Sequence, residues 1–335
     1  MSLQEIPLGA MRFNSDSQKL EYYNGEIWMQ IHTFSPDLNG GVRALSGGGY
    51  DPGAVNMIQG WNIATAGSNF DFGNLTEVRG YASGASSRTR AVFAGGGIGN
   101  PNLYDTIDYV TFASFGDAIA FGELANSDRW HGAGASNETR GLFAGGENPT
   151  RVNEIDYITI ASTGDAKDFG DLVRAAENPP AVNSPTRAVF CGGVDASPVG
   201  VMNTIDYVTI ATTGNAQNFG DLATVYFGGG ASSNAVRGLI GGGANPGNVN
   251  FIESLYMATL GNATDFGDLT VARRYMAGCA SSTRMTWGGG LTPAISDVID
   301  YVTFATEGNA VDFGDLFDHM YANVSGVSNG HGGLG

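Results

Sequence analysis

The sequence predicts an all-β fold made of six copies of a four-stranded unit, preceded by a small N-terminal β-meander. Three observations carry this: an arginine column of near-constant spacing, a glycine pair after each arginine, and a glycine-rich, charge-poor composition. The arginines are Arg43, Arg90, Arg140, Arg187, Arg237 and Arg284, separated by 47, 50, 47, 50 and 47 residues. Five and six residues after each stands a glycine pair, from Gly48 and Gly49 in the first copy to Gly289 and Gly290 in the last. Glycine supplies 52 of 335 residues, hydrophobics 42% and charged residues 15%. That is too apolar for a disordered chain and lacks the collagen period, so a folded, turn-rich β protein fits.

Residues 8 to 31, LGAMRFNSDSQKLEYYNGEIWMQI, read as three short strands with a turn at NSDSQ and a tight hairpin turn at Asn24 and Gly25. Such a segment is too small to hold a core alone. SPDLNGGV at 35–42 reads as a linker, so residues 1–40 form an attachment segment and 41–335 the repeat domain.

Each repeat opens on an apolar strand running into the glycine pair, as in RAVFAGG at 90–96 and RAVFCGG at 187–193. After a loop of 8 to 11 residues comes an alternating segment such as TIDYVTIATTGNA, whose fixed member is Ile58, Ile107, Ile155, Ile205, Ile252 or Ile299. A version of DFGDL follows, with Phe72, Phe121, Phe169, Phe219, Phe266 and Phe313 as its aromatic. A segment rich in Gly, Ala and Ser, such as GYASGASS at 80–87, then leads to the next arginine. Four short strands per repeat is the count for a propeller blade.

The apolar strand ending in Gly-Gly, the strand carrying Tyr109, Tyr157, Tyr207 or Tyr301, and the aromatic about a dozen residues on together resemble the kelch repeat over residues 43 to 330. Phe stands where kelch repeats usually have Trp, and Gly60 and Ser254 replace the Tyr in two copies, so the repeat is kelch-like. The resemblance implies a six-bladed β-propeller with the Gly/Ala/Ser strand innermost, where small side chains fit the crowded axis. Nothing before Arg43 supplies an inner strand for the first blade, whereas HMYANVSGVSNG at 319–330 has no second strand after it. The C-terminal strand is expected to complete blade one and close the ring, removing two exposed edges.

Gly9, Arg12 to Asn14, Lys19 to Gly25 and Trp28 resemble a small module of fibre and appendage proteins of tailed bacteriophages. The glycine-rich repeats likewise resemble those in structural proteins of marine cyanobacterial phages. This resemblance implies a virion protein assembled in the host cytoplasm and attached to other virion proteins through Arg12, Tyr22, Tyr23 and Trp28. The other partners it implies are a host-surface glycan or protein and further copies of the chain.

With 16 basic and 33 acidic residues the net charge is −17, which disfavours nucleic acid and anionic membranes as partners. No stretch approaches the apolar length needed to cross a bilayer, and the start, MSLQEIPLGAMRF, lacks the organisation of a signal peptide. Cys191 and Cys279 fall where other repeats carry Ala and read as small core residues. The arginine column reads as a repeated structural contact, with the recurrent carboxylates as expected partners. Paired carboxylates in DFGD (Asp168 and Asp171, Asp265 and Asp268, Asp312 and Asp315) read as turn caps. His32, His131, His319 and His331 have unrelated surroundings, so no metal set, no catalytic set and no cofactor is expected.

Function is expected in the loops between the second and third strands, which vary in length and each carry one proline: Pro52, Pro101, Pro149, Pro198, Pro246 and Pro293. The binding candidates are Tyr50, Tyr104, Arg151, Asp195 and Phe251, with Trp130 and His131 from an adjacent connection. The expected function is non-catalytic recognition by a virion protein of tail, fibre or capsid. A carbohydrate-active propeller enzyme and a free-standing kelch-like scaffold are the alternatives. The enzyme is disfavoured because the inner strands are mostly Ala, Gly and Ser.

Overall fold

The computed structural model describes residues 7–14, 19–30, 41–51, 53–67, 69–126, 128–195, 200–316 and 325–334. The expected linker at 35–42 falls almost entirely outside them, as do Pro52, Pro198, His32, His319 and the first six residues of the 319–330 strand segment. The chain separates into two compact units, Met1–Leu38 and Asn39–Gly335.

The first unit is an antiparallel meander of β1 (Met11–Asn14), β2 (Lys19–Tyr23) and β3 (Trp28–Gln30), with Arg12 opposite Glu21 and Tyr23 opposite Trp28. Alternation splits it into two faces. On one, Arg12 pairs with Glu21 at 2.9 Å and lies over the Trp28 ring at 4.2 Å, beside Tyr23. On the other, Met11, Phe13, Tyr22 and Met29 are exposed. The side-chain oxygen of Asn24 accepts from the backbone N–H groups of Glu26 and Ile27, which fixes the hairpin turn.

The second unit is all-β and holds six four-stranded antiparallel sheets among its described residues. In chain order the strands of sheet two are Ser83–Ser86, Arg90–Ala94, Thr106–Thr111 and Ile119–Glu123. Sheet three has Ala133–Ser136, Arg140–Ala144, Glu154–Thr159 and Lys167–Asp171. Sheet four has Ala181–Asn183, Arg187–Val194, Val201–Thr209 and Gln217–Asp221. Sheet five has Gly230–Ser233, Arg237–Gly241, Phe251–Tyr256 and Thr264–Asp268. Sheet six has Ala277–Ala280, Arg284–Gly288, Val298–Thr303 and Val311–Asp315. Sheet one combines Arg43–Asp51, Gly53–Asn62 and Asn69–Asn74 with Ser325–Ser328 from the C-terminus, which pairs antiparallel with Arg43–Asp51.

The first strands touch in order: Ser83–Ser86 meets Ala133–Ser136, and so on to Ser325–Ser328, which meets both Ala277–Ala280 and Ser83–Ser86. Six hydrophobic clusters fill the spaces between sheets, drawing Ile, Phe and Leu from the repeated columns. Cys191 and Cys279 are buried and unpaired, and burial pushes both thiols far above their usual range. In the third strand a bulge follows each fixed isoleucine, for example between Ile155 and Asp156.

The arginine column does not find carboxylates as its recurrent partners. Arg90, Arg140 and Arg187 each donate to a backbone carbonyl at the third-strand end of the next sheet: Ile160 at 2.9 Å, Ile210 at 2.8 Å and Met257 at 2.8 Å. Arg43 reaches Phe112, Arg237 reaches Phe304, and Arg284 returns from sheet six to Ile63 and Ala64 of sheet one. Among the described residues only Arg237 adds a carboxylate, exposed Glu307 at 3.4 Å. Each guanidinium also lies over an aromatic ring, for instance Arg90 over Tyr109 at 4.6 Å. The carbonyl is the better partner because a strand end leaves its acceptor unpaired at a sheet boundary.

Carboxylates are met elsewhere. Arg79, Arg129 and Arg273, in the connections leading to first strands, pair with Asp108, Asp156 and Asp300 inside the protein at 2.8, 3.0 and 2.8 Å. Sheets four and five carry Ala176 and Tyr226 in that arginine position. There burial pushes the Asp206 carboxyl up to about 6, against the lowering effect of the Val173 N–H and Arg174, and raises that of Glu253.

Candidate functional site

Among the described residues, five connections from a fourth strand to the next first strand are tied by backbone bridges to the segment at or just after the end of a second strand: Gly80 with Gly97, Trp130 with Glu147, Glu177 with Val194, Phe227 with Ala244, Arg274 with Leu291. This places the two sets of segments on one face. One residue after the bridged position of each connection stands a residue with positive φ: Tyr81 at 59°, His131 at 62°, Asn178 at 54°, Gly228 at 66° and Tyr275 at 63°. Their backbones form a chain, with the N–H of His131 donating to Tyr81 O at 3.2 Å, Asn178 to His131 O at 2.8 Å, Gly228 to Asn178 O at 3.2 Å and Tyr275 to Gly228 O at 2.7 Å. Left-handed backbone at Tyr and His is unfavourable for a side chain, so these positions hold strain that the surrounding bonds must offset.

The side chains at this mouth are aromatic and charged. Tyr81 sits at the centre, with ring centroids 5.3 Å from Tyr50, 5.2 Å from Trp130, 4.0 Å from His131 and 6.3 Å from Tyr275. Trp130 stacks on His131 at 4.5 Å with planes 3° apart. Arg274 lies over Tyr275 at 5.2 Å. Tyr50, Tyr81, Trp130 and Tyr275 are each half-buried, so part of their aromatic surface meets solvent.

A polar network adjoins the rings. His131 Nδ1 lies 2.7 Å from Glu177 Oε1, Arg151 Nε donates to Glu177 Oε2 at 2.8 Å, and Asn178 Nδ2 donates to Glu177 Oε1 at 3.2 Å. Arg151 also donates to the Asp195 carbonyl at 3.2 Å. Burial pushes the Glu177 carboxyl up, but the hydrogen bonds and charges of His131 and Arg151 outweigh it and leave the group below its usual range. Glu147 completes the group, with one donor atom of each of His131, Glu147 and Glu177 lying within 4.8 Å of the others. The four-histidine reading of the sequence contains no such set, because two of its three members are glutamates on separate repeats.

Behind the mouth a cavity of about 100 Å³ runs between the first strands, lined by Ala82, Gly132, Asn178, Gly228, Met276 and Gly326 among others. A second, smaller cavity of about 30 Å³ shares Gly84, Gly134 and Gly278 with it and is lined by His331. His331 Nδ1 accepts from Asn183 Nδ2 at 2.7 Å and from Gly333 N at 3.1 Å, so Nε2, 3.1 Å from Ser86 O, carries the proton. The following 3-10 turn, Gly332–Leu334, is buried with it. Glycine is needed in this turn because a Cβ on Gly333 would lie 1.9 Å from Ser136 O.

Of the sequence candidates, Tyr50, Trp130, His131, Arg151 and Asp195 meet at this network. Tyr104 and Phe251 have no described contact with it: Tyr104 is tied by its backbone to Gly96 and Arg129, and Phe251 stands exposed at the start of a third strand. Tyr81, Glu147, Glu177, Arg274 and Tyr275 are the residues that loop-based reasoning missed. Their signal is departure from the repeat: the column of His131 reads Tyr81, Asn178, Gly228 and Tyr275, and that of Glu147 reads Gly97, Val194, Ala244 and Leu291. No protein-family model matches the chain, and no curated protein matches it in sequence.

Proposed function

We propose that the six sheets are the blades of a closed kelch-like propeller serving as the recognition module of a bacteriophage virion protein, without catalysis, and that the mouth cluster binds a host-surface glycan. The observation that carries this reading is the concentration of repeat-breaking side chains at one end of the axis. Half-exposed aromatic faces beside a carboxylate, two guanidiniums and an amide match what a sugar offers, an apolar ring face edged by hydroxyls. The cyclic order of first-strand contacts and the return of Arg284 to sheet one support ring closure. The virion assignment rests on the resemblance of the N-terminal module, and the exposed Met11, Phe13, Tyr22 and Met29 face gives that module a surface for a neighbouring subunit.

Mass analysis of purified virions tests the assignment: the polypeptide is expected in the particle, and a chain lacking residues 1–40 is expected to fold, keep its ligand and fail to incorporate. Absence of the full chain from every particle overturns it.

A further inference from the structure

We propose that His131, Glu147 and Glu177 form a binding site for a divalent transition-metal ion such as Zn2+ or Mn2+. Ligands to such ions sit about 2.0–2.2 Å from the metal, so any two donors lie at most about 4.4 Å apart. The three donor atoms already lie within 4.8 Å of one another, and small side-chain rotations close the set. One imidazole with two carboxylates suits a borderline ion better than Ca2+, which prefers oxygen ligands alone.

The three ligands are also unexplained by the repeat. Glu177 shares its column with Gly80, Trp130, Phe227 and Arg274, so no recurrent contact requires an acid there. The His131 side chain is 11% exposed, and its Nε2 has no hydrogen-bond partner among the described residues; a buried polar atom left in this way is unfavourable unless something else satisfies it. The ligands are held on fixed backbone, Glu147 by paired bonds to Trp130 and Glu177 by paired bonds to Val194 at 2.9 Å each. Arg151 and Asn178 donate to the Glu177 carboxylate and orient it, as outer partners of metal ligands do.

The assignment rests on these side chains alone, so failure of glycan recognition leaves it standing. Chelator-treated full-length chain is titrated with ZnCl2 and MnCl2 by calorimetry, and with CoCl2 while tryptophan fluorescence is followed, since Trp130 stacks on the proposed ligand. Saturable one-to-one binding of at least one ion is expected, with partial quenching that Trp130→Phe removes. Glu147→Gln, a near-isosteric change at a half-buried position, should weaken binding about tenfold or more, and His131→Asn likewise. No saturable binding at millimolar ion, or equal affinity in wild type and Glu147→Gln, overturns the proposal. If His131→Asn fails to fold, Glu147→Gln decides.

Discussion

His331 lies in a position where a proton on the wrong nitrogen has no place to go. Its Nδ1 faces two donors and its Nε2 already donates, so the ring must stay neutral. Burial drives its pKa down to about 4, with the Ser86 carbonyl opposing and Arg88 reinforcing the fall. Unfolded, the group titrates near 6.5. Between these values the unfolded chain binds the extra proton, so the stabilisation is complete above pH 6.5, falls as the pH drops towards 4 and is constant below that. In denaturant titrations the lead of wild type over His331→Gln should therefore shrink by about 3 kcal/mol from pH 6.5 to pH 4. A pH-independent difference would show that the fold does not lower the pKa of the ring and so does not hold it neutral between pH 6.5 and pH 4.

At the scale of elements, the sheets are joined by the fourth strand and by the turn that follows the third. The Phe72 carbonyl accepts from Gly116 N of the next sheet, and Asn74 N donates to Asp117 Oδ1, a pattern that recurs at Phe121 with Gly164 and Glu123 with Asp165. Gly73 stands between these bonds at φ 149°, and a Cβ there would lie 2.3 Å from Gly116 O. Gly73→Ala should cost about 2–3 kcal/mol in thermal or chemical unfolding, since both the backbone and the approach of the next sheet resist it. A change under about 0.5 kcal/mol would show that the close approach is not needed. The glycine of DFG, the fixed isoleucines and the arginines were legible as columns because each recurs in every copy. The arginine acceptor was not legible, because it is a main-chain carbonyl some 70 residues away, as for Arg90 and Ile160, and main-chain groups leave no mark on side-chain identity. The mouth was only partly legible: Trp130 and Arg151 stand out as large single-copy residues, but Glu147 and Glu177 join them only when two neighbouring repeats are folded side by side.

In the second unit, the buried C-terminal turn Gly332–Leu334 follows His331, which bonds Asn183 of a first strand, and the aromatic and charged cluster lies at the connections that lead into the first strands. The regular columns account for the core and the sheet-to-sheet contacts, and the departures from them gather at the mouth. Recognition is therefore proposed to belong to that cluster. Its most direct test is a glycan array probed with the full chain, with a Tyr81→Ala, Trp130→Ala double variant, and with a Thr212→Ala, Thr213→Ala control in the regular turn after the third strand of sheet four. Wild type and control should bind the same glycan, with the double variant losing about tenfold or more in signal. Equal binding by wild type and the double variant, or loss of binding in the control alone, would contradict it.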